Sequence, residues 1–245
     1  MNSKWLLSLV LTLALAAAAS GDEVTLPAIG DSQLYTGGDI GGNEWAADTN
    51  YGVSGNIYML GEDASVGERI VFKFHLTGIG TQIDCATLGF WGNESGDETI
   101  TVYRMTRNWE ENEVTWNDAD WGADHANGGG DDTPWTTPGG DYDNSVSASV
   151  SGLFSNNYVT LEVTTLVQNM VDAAQDYAAF IVFGNTTDDP FRVWARENTG
   201  WESDQKRPYL YINHSSGEVP EPGTLLLIGT GLLGLLGYLR RRRMK

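Results

Sequence analysis

Residues 69–76 read Arg-Ile-Val-Phe-Lys-Phe-His-Leu, and an apolar side chain returns at every second position. That period puts Ile70, Phe72, Phe74 and Leu76 on one face of a strand and Arg69, Val71, Lys73 and His75 on the other. The pattern recurs at 99–104, where Ile100 and Val102 oppose Thr101 and Tyr103, and at 159–163, where Val159, Leu161 and Val163 alternate with Thr160 and Glu162. Further short strands are predicted at 34–36, 57–60, 87–91, 146–150, 178–183, 192–196 and 209–212. Gly, Asn and Asp turns separate most of them, as at residues 93–97. Many short strands so punctuated predict an all-β chain, a jelly-roll-type antiparallel β-sandwich. One short helix breaks the pattern: Thr164 or Thr165 would cap it, and Leu166/Met170 and Val167/Val171 are apolar pairs at helical spacing. The stretch 117–144 holds three consecutive glycines, Asp131, Asp132 and Pro134, and reads as a long functional or mobile loop.

The two ends of the chain follow other rules. A short start with one lysine, an apolar run from Trp5 to Ala19 and small residues up to Gly21 have the order of a signal peptide, residues 1–20. About fifteen apolar residues are few for a hydrocarbon core of about 30 Å, which favours cleavage over anchoring. Residues 21–215 are then one domain, and 216–245 a linker and tail. In the tail, Val219, Pro220, Glu221 and Pro222 precede a largely apolar stretch, 225–239, and then Arg240, Arg241, Arg242 and Arg243. As a transmembrane helix it would reach only about 22 Å, with the arginines kept on the cytoplasmic side.

Six of the fourteen Lys and Arg lie in those ends, leaving eight between Gly21 and Glu218 against 32 of the 33 acids. A net charge near −24 there excludes nucleic acid as a partner and repels anionic membrane surfaces. Cys85 is the only cysteine, so no disulfide can form within the chain, and nothing in its surroundings would make it a nucleophile.

The tail resembles PEP-CTERM sorting signals in the order and spacing of its Pro-Glu-Pro triplet, short glycine-containing helix and terminal arginines. The resemblance implies an exosortase as partner, transient residence in the inner membrane, and surface or extracellular delivery in an exopolysaccharide-producing Gram-negative bacterium. The central domain resembles the DNRLRE family, related to the alginate-binding carbohydrate modules of family 96. The resemblance rests on the Asn-Tyr-Gly turn at 50–52, the strand 69–76 with His75 where Asp is usual, and the Trp and Val-Thr-Trp-Asn block of 102–117. It continues with Thr-Pro-Gly-Gly-Asp-Tyr-Asp at 137–143, 163–168, and Arg207-Pro208 before the last strand. It implies a jelly roll and a frequent role in polysaccharide contact.

Catalysis finds little support. No nucleophile elbow occurs, and His75, His125 and His214 lie far apart in sequence with Cys85 alone. Asp118, Asp120 and Asp124 open like a calcium-binding loop, but glycine and alanine stand at its fifth and sixth positions and no Glu closes it. Calcium as a cofactor has better candidates in Asp48, Asp141 and Asp143, whose alternative role is to close Asx turns. Sugar binding asks for aromatic faces and planar polar groups. Trp109 and Trp116 fit core packing better, while Trp121 and Trp135, in the irregular stretch, are open to either role. The scarce cations supply the sharpest candidate: Arg69, Lys73 and His75 share one strand face, and Arg192, Trp194 and Arg196 another. If those strands are neighbours, the six form a carbohydrate-binding platform; the alternative is pairing with acids such as Glu68 and Glu197.

These features describe an exported, noncatalytic surface or matrix protein that binds or is embedded in exopolysaccharide. The rival is a structural coat or biofilm matrix protein with no specific sugar site. Replacing Pro220, Glu221 and Pro222 with alanine is expected to leave the protein uncleaved in the inner membrane, which cell fractionation reads directly.

Overall fold

The computed structural model describes residues 21–36, 46–52, 57–62, 67–92, 97–120, 133–154, 156–185, 191–197 and 206–215. The expected signal peptide, Trp121, Trp201, the linker and the tail with Val219, Pro220, Glu221 and Pro222 lie outside them. Among the described residues no helix is long and apolar enough to cross a membrane.

The alternating segments form strands, and the strands form two antiparallel layers. The first sheet contains β1 (Asp22–Pro27), β5 (Gln82–Gly92), β10 (Asn157–Glu162), β12 (Phe191–Trp194) and β13 (Tyr209–Ser215). The second contains β2 (Gly30–Tyr35), β4 (Gly67–His75), β6 (Asp97–Met105), β9 (Tyr142–Leu153) and β11 (Tyr177–Phe183). β3 (Ile57–Glu62) joins them, pairing with β12 over its first four residues and with β4 at Gly61 and Glu62. The fold is the expected all-β sandwich. β1 was not foreseen, since its six residues mix Asp22, Glu23 and Pro27 with Val24 and Leu26.

Between the layers, Ile70, Phe72 and Phe74 of β4, Ile100 and Val102 of β6, and Phe180 and Val182 of β11 face Leu88 and Phe90 of β5, Val159 and Leu161 of β10, and Leu210 and Ile212 of β13. Phe72 stacks on Phe90 with ring centroids 5.5 Å apart. The helix, Thr164–Asp172, adds Leu166, Val167 and Met170 to the same core. Its cap differs from expectation: Val163 occupies the N-cap without a side-chain hydrogen bond. The Thr164 hydroxyl instead accepts from the Ala86 backbone N–H at 2.8 Å, tying the helix to β5.

The second departure matters more. Alternation alone makes the face of β4 carrying Arg69, Val71 and Lys73 outward and polar, yet Val71 is wholly buried and Lys73 is 8% exposed. The chain after β6 folds back over that face, and Trp109, Val114, Ala119 and Trp135 form a second apolar cluster with Leu34, Val71, Met105, Ala179 and Ile181. A sheet buried on both faces cannot show clean apolar–polar alternation. Val71 and the unbroken apolar run from Ala178 to Phe183 were the signals. The long irregular stretch is partly ordered into β7 (Asp118–Asp120) and β8 (Thr133–Pro134), which pair with each other, and into the start of β9.

Because Phe72 is fully buried and stacked across both layers, Phe72→Ala is expected to cost about 3–5 kcal/mol, seen as a lower urea midpoint with an unchanged slope.

Candidate functional site

The six residues proposed as one platform are divided by the topology. β4 lies in the second sheet and β12 in the first. Arg69 donates from Nη1 to the Gly139 carbonyl at 2.9 Å, its guanidinium 4.7 Å from the Trp116 ring centroid and 4.5 Å from that of Phe183. Gly139 has φ +89°, and a Cβ there would strike Arg69 and Trp116, so the Gly-Gly pair at 139–140 makes room for this contact. Lys73 donates from Nζ to the Trp109 carbonyl at 2.7 Å, sits 3.4 Å from Glu110, and lies 4.8 Å from the Tyr177 ring centroid. Both cations therefore hold the covering segment against the second sheet. His75, at the exposed end of β4, stands opposite Tyr177.

Arg196 follows β12 and makes a third fastening. Its backbone N–H donates to Asp31 Oδ2 at 2.7 Å, and its guanidinium pairs with Glu111 and, at 2.7 Å, with Glu197. Glu111 also accepts from the Asp31 N–H at 2.8 Å; burial pushes its carboxyl pKa up, against the pull of that N–H and of Arg196. Asn50 secures the same segment, donating from Nδ2 to the carbonyls of Glu111 at 2.8 Å and Val114 at 2.7 Å. A Cβ on Gly52 would collide with the Glu111 carbonyl, which accounts for glycine in the Asn-Tyr-Gly turn.

Asp31, Glu111 and Glu197 are the one group among the described residues whose carboxylates lie within 4.8 Å of one another as metal ligands would. The Arg196 guanidinium, paired with Glu111 and Glu197, offsets one of their charges. Asp48, Asp141 and Asp143 do not gather into such a group. Asp48 accepts from Asn117 Nδ2 at 2.6 Å. Asp141 accepts the backbone N–H groups of Thr136 and Thr137 at 3.0 and 3.1 Å and pairs with Arg107 at 3.3 Å. Asp143 accepts from Arg104 at 2.7 Å and from the Ser145 hydroxyl and backbone N–H at 2.6 and 3.0 Å. Beside them an open cleft of about 530 Å³ is lined by Thr106, Arg107, Thr136, Thr137, Asp141, Tyr142 and Asn144.

The outer face of the first sheet is of another kind. Trp91 of β5 stands opposite Tyr158 of β10, their rings edge to face at 5.3 Å. Tyr158 meets Tyr209 of β13 at 5.3 Å. Tyr209 lies across Gly89, where any Cβ would clash with its ring. Lys206 places Nζ 4.6 Å from the Trp91 centroid and 4.7 Å from that of Trp194, so one ammonium bridges two indoles. All four rings are partly exposed, and Arg192 projects from β12 two residues before Trp194. Of the proposed platform only Arg192 and Trp194 belong here. Trp91, Tyr158, Tyr209 and Lys206 were missed, although alternation in their strands puts the three rings on the outer face. Trp109 and Trp135, 1% and 4% exposed, are core residues of the second cluster.

Residues 42–126 match carbohydrate-binding module family 96. Residues 218–243 match the PEP-CTERM protein-sorting motif, a signal for export and sorting. No curated protein matches the chain. The family match covers β3 to β7, including Asn50, Arg69, Lys73, Trp91 and the segment that Lys73 and Arg196 fasten down. Tyr158, Trp194, Lys206 and Tyr209 lie beyond it.

Hydrogen bonds from Ser145, then the Arg104 pair, hold the Asp143 carboxyl down to about 2. A carboxyl lowered from its unfolded value near 4 adds stability that is complete above that value and lost as pH falls through about 2. Asp143→Asn is therefore expected to flatten the dependence of melting temperature on pH between about 4 and about 2; a slope equal to wild type would assign the acid sensitivity elsewhere.

Proposed function

We propose that this is an exported, noncatalytic protein that binds polysaccharide at the cell surface or in the extracellular matrix, through the aromatic outer face of its first sheet. The observation that carries the reading is the set Trp91, Tyr158, Trp194 and Tyr209, half-exposed on neighbouring strands, with Lys206 between the two indoles. A pyranose offers axial C–H groups on one side and hydroxyls around its rim. Rings cover the first, and Lys206, Arg192 and the tyrosine hydroxyls serve the second. Rings fixed by neighbouring strands lose little freedom on binding, so an extended chain can be held without a deep pocket. The match to a carbohydrate-binding module family supports this reading. The sorting motif supports exosortase processing after transient anchoring in the inner membrane. Nothing in the aromatic face requires calcium.

Affinity electrophoresis through gels containing the producing strain's exopolysaccharide tests the site. Trp91→Ala and Trp194→Ala are each expected to weaken retardation by about 1–3 kcal/mol while the melting temperature stays near wild type. Trp135→Ala, in the second cluster, should instead lower the melting temperature. Full retardation of both face variants would refute the site, and no retardation of the wild type on any polysaccharide would favour the structural coat reading.

A further inference from the structure

The edges of the two sheets are protected unequally. β1 carries Asp22, Glu23 and Pro27 in six residues, the charges and proline that keep an edge strand from pairing with another chain. β10 is also only six residues long. β9 runs for twelve, and among the described strands its one partner is β6, in unbroken register from Leu153 to Ala148 and across a bulge from there to Asp143. From Ser145 to Leu153 it contains neither a charge nor a proline.

Its sequence has a second property. Residues 145–151 read Ser-Val-Ser-Ala-Ser-Val-Ser, the same in either direction about Ala148. In antiparallel pairing around that centre, Val146 falls opposite Val150, Ser147 opposite Ser149 and Ser145 opposite Ser151, each like facing like. The serines are exposed on the outer face, and Val146, Ala148 and Val150 pack against the core. Ser149 and Ser151 already exchange hydroxyl hydrogen bonds with Thr101 at 3.0 Å and Thr99 at 2.9 Å across to β6. A facing copy of β9 would set its Ser147 and Ser145 next in those two rows.

We propose that β9 is a self-association edge whose occupant is a second copy of this chain, paired antiparallel about a twofold axis through Ala148. The second sheets of the two copies then join into one. Such an isologous contact consumes both edges, so assembly stops at the dimer. Charge argues for this place: the central domains, near −24 each, repel, and β9 is the long edge that sets no carboxylate against its twin. The same repulsion makes pairing depend on ionic strength. The dimer would carry two aromatic faces, allowing it to bridge polysaccharide chains, but the pairing itself needs no sugar.

Sedimentation velocity of the purified full chain tests the proposal without any glycan. Wild type is expected to be largely monomeric in low salt and dimeric in about 1 M salt, where screening acts within about 3 Å, with a dissociation constant lower by on the order of tenfold. Ser147→Asp/Ser149→Asp and Ser147→Lys/Ser149→Lys each set like charges opposite one another and should remain monomeric at both salt levels. Mixed together in low salt, the two double variants should form a heterodimer. Their melting curves, taken in parallel, separate lost pairing from lost folding, and recovery on mixing requires both to be folded. A wild type monomeric throughout, double variants that dimerise as wild type does, or a mixture that stays monomeric would each overturn the proposal.

Discussion

Lys73 holds its ammonium against the Trp109 carbonyl in a setting only 8% exposed, and the whole outer side of the second sheet depends on that contact. A buried ammonium is costly unless its donors are used. Here a carbonyl, the Glu110 carboxylate and the faces of Trp109 and Tyr177 surround it. With the segment after β6 fixed at Trp109, Val114 and Ala119 come down on Val71 and Ile181 and close the second cluster. Arg69 at Gly139 and Arg196 at Glu111 fasten the same cover at two further points. The family-like motifs thus find a structural use first: Asn50, Gly52, Trp109, Trp116 and the glycine pair at 139–140 all serve the cover.

This cover makes the two sheets unequal. The second sheet is buried on its outer side at Leu34, Val71, Ala179 and Ile181, which the chain's own loop withdraws from solvent, while the outer serines of β9 stay exposed. Among the described residues no such cover lies over Trp91, Tyr158, Trp194 and Tyr209 of the first sheet, which are partly exposed. Large rings held open on a flat sheet lose hydration advantage unless something lies on them, and their mutual edge-to-face contacts use only part of each ring. The proposed ligand contact therefore falls on the first sheet, and the proposed self-association on the edge of the second.

Period-two patterning made the layers legible because burial on one face leaves alternation in the chain, as in Val159, Leu161 and Val163 of β10 and its continuation. The helix was legible from Leu166 and Met170, but its cap was not, since Thr164 is drawn to Ala86 by tertiary contact. The candidate site was legible only in part. Arg192 and Trp194 announce a shared face by spacing, whereas the other rings of that face come from β5, β10 and β13, and Lys206 links Trp194 to Trp91. Which strands adjoin is decided by long-range pairing, and no local pattern encodes that β12 meets β5 at Gly92 rather than joining β4. For the same reason Arg69 and Lys73 look like a surface pair when their strand is taken alone, and prove to be fastenings once the cover is placed.

The lone cysteine gives these fastenings their reason. An exported domain of this size often relies on disulfides to hold long connections down, and a chain with only Cys85 has none to form internally. Five of its eight cations, Arg69, Lys73, Arg104, Arg107 and Arg196, are placed where they tie distant segments together within a net charge near −24. Arg196 gathers Glu111 and Glu197, Arg107 ties Asp141 to the Pro134 carbonyl, and Arg104 joins β6 to β9 through Asp143. Each is a reversible cross-link between segments distant in sequence, and each reduces local repulsion among the acids it gathers. Unlike a disulfide, such a link weakens as its carboxylate is protonated, and because the Asp143 carboxyl is held down to about 2, the tie between β6 and β9 loses its contribution to stability as pH falls from about 4 to about 2.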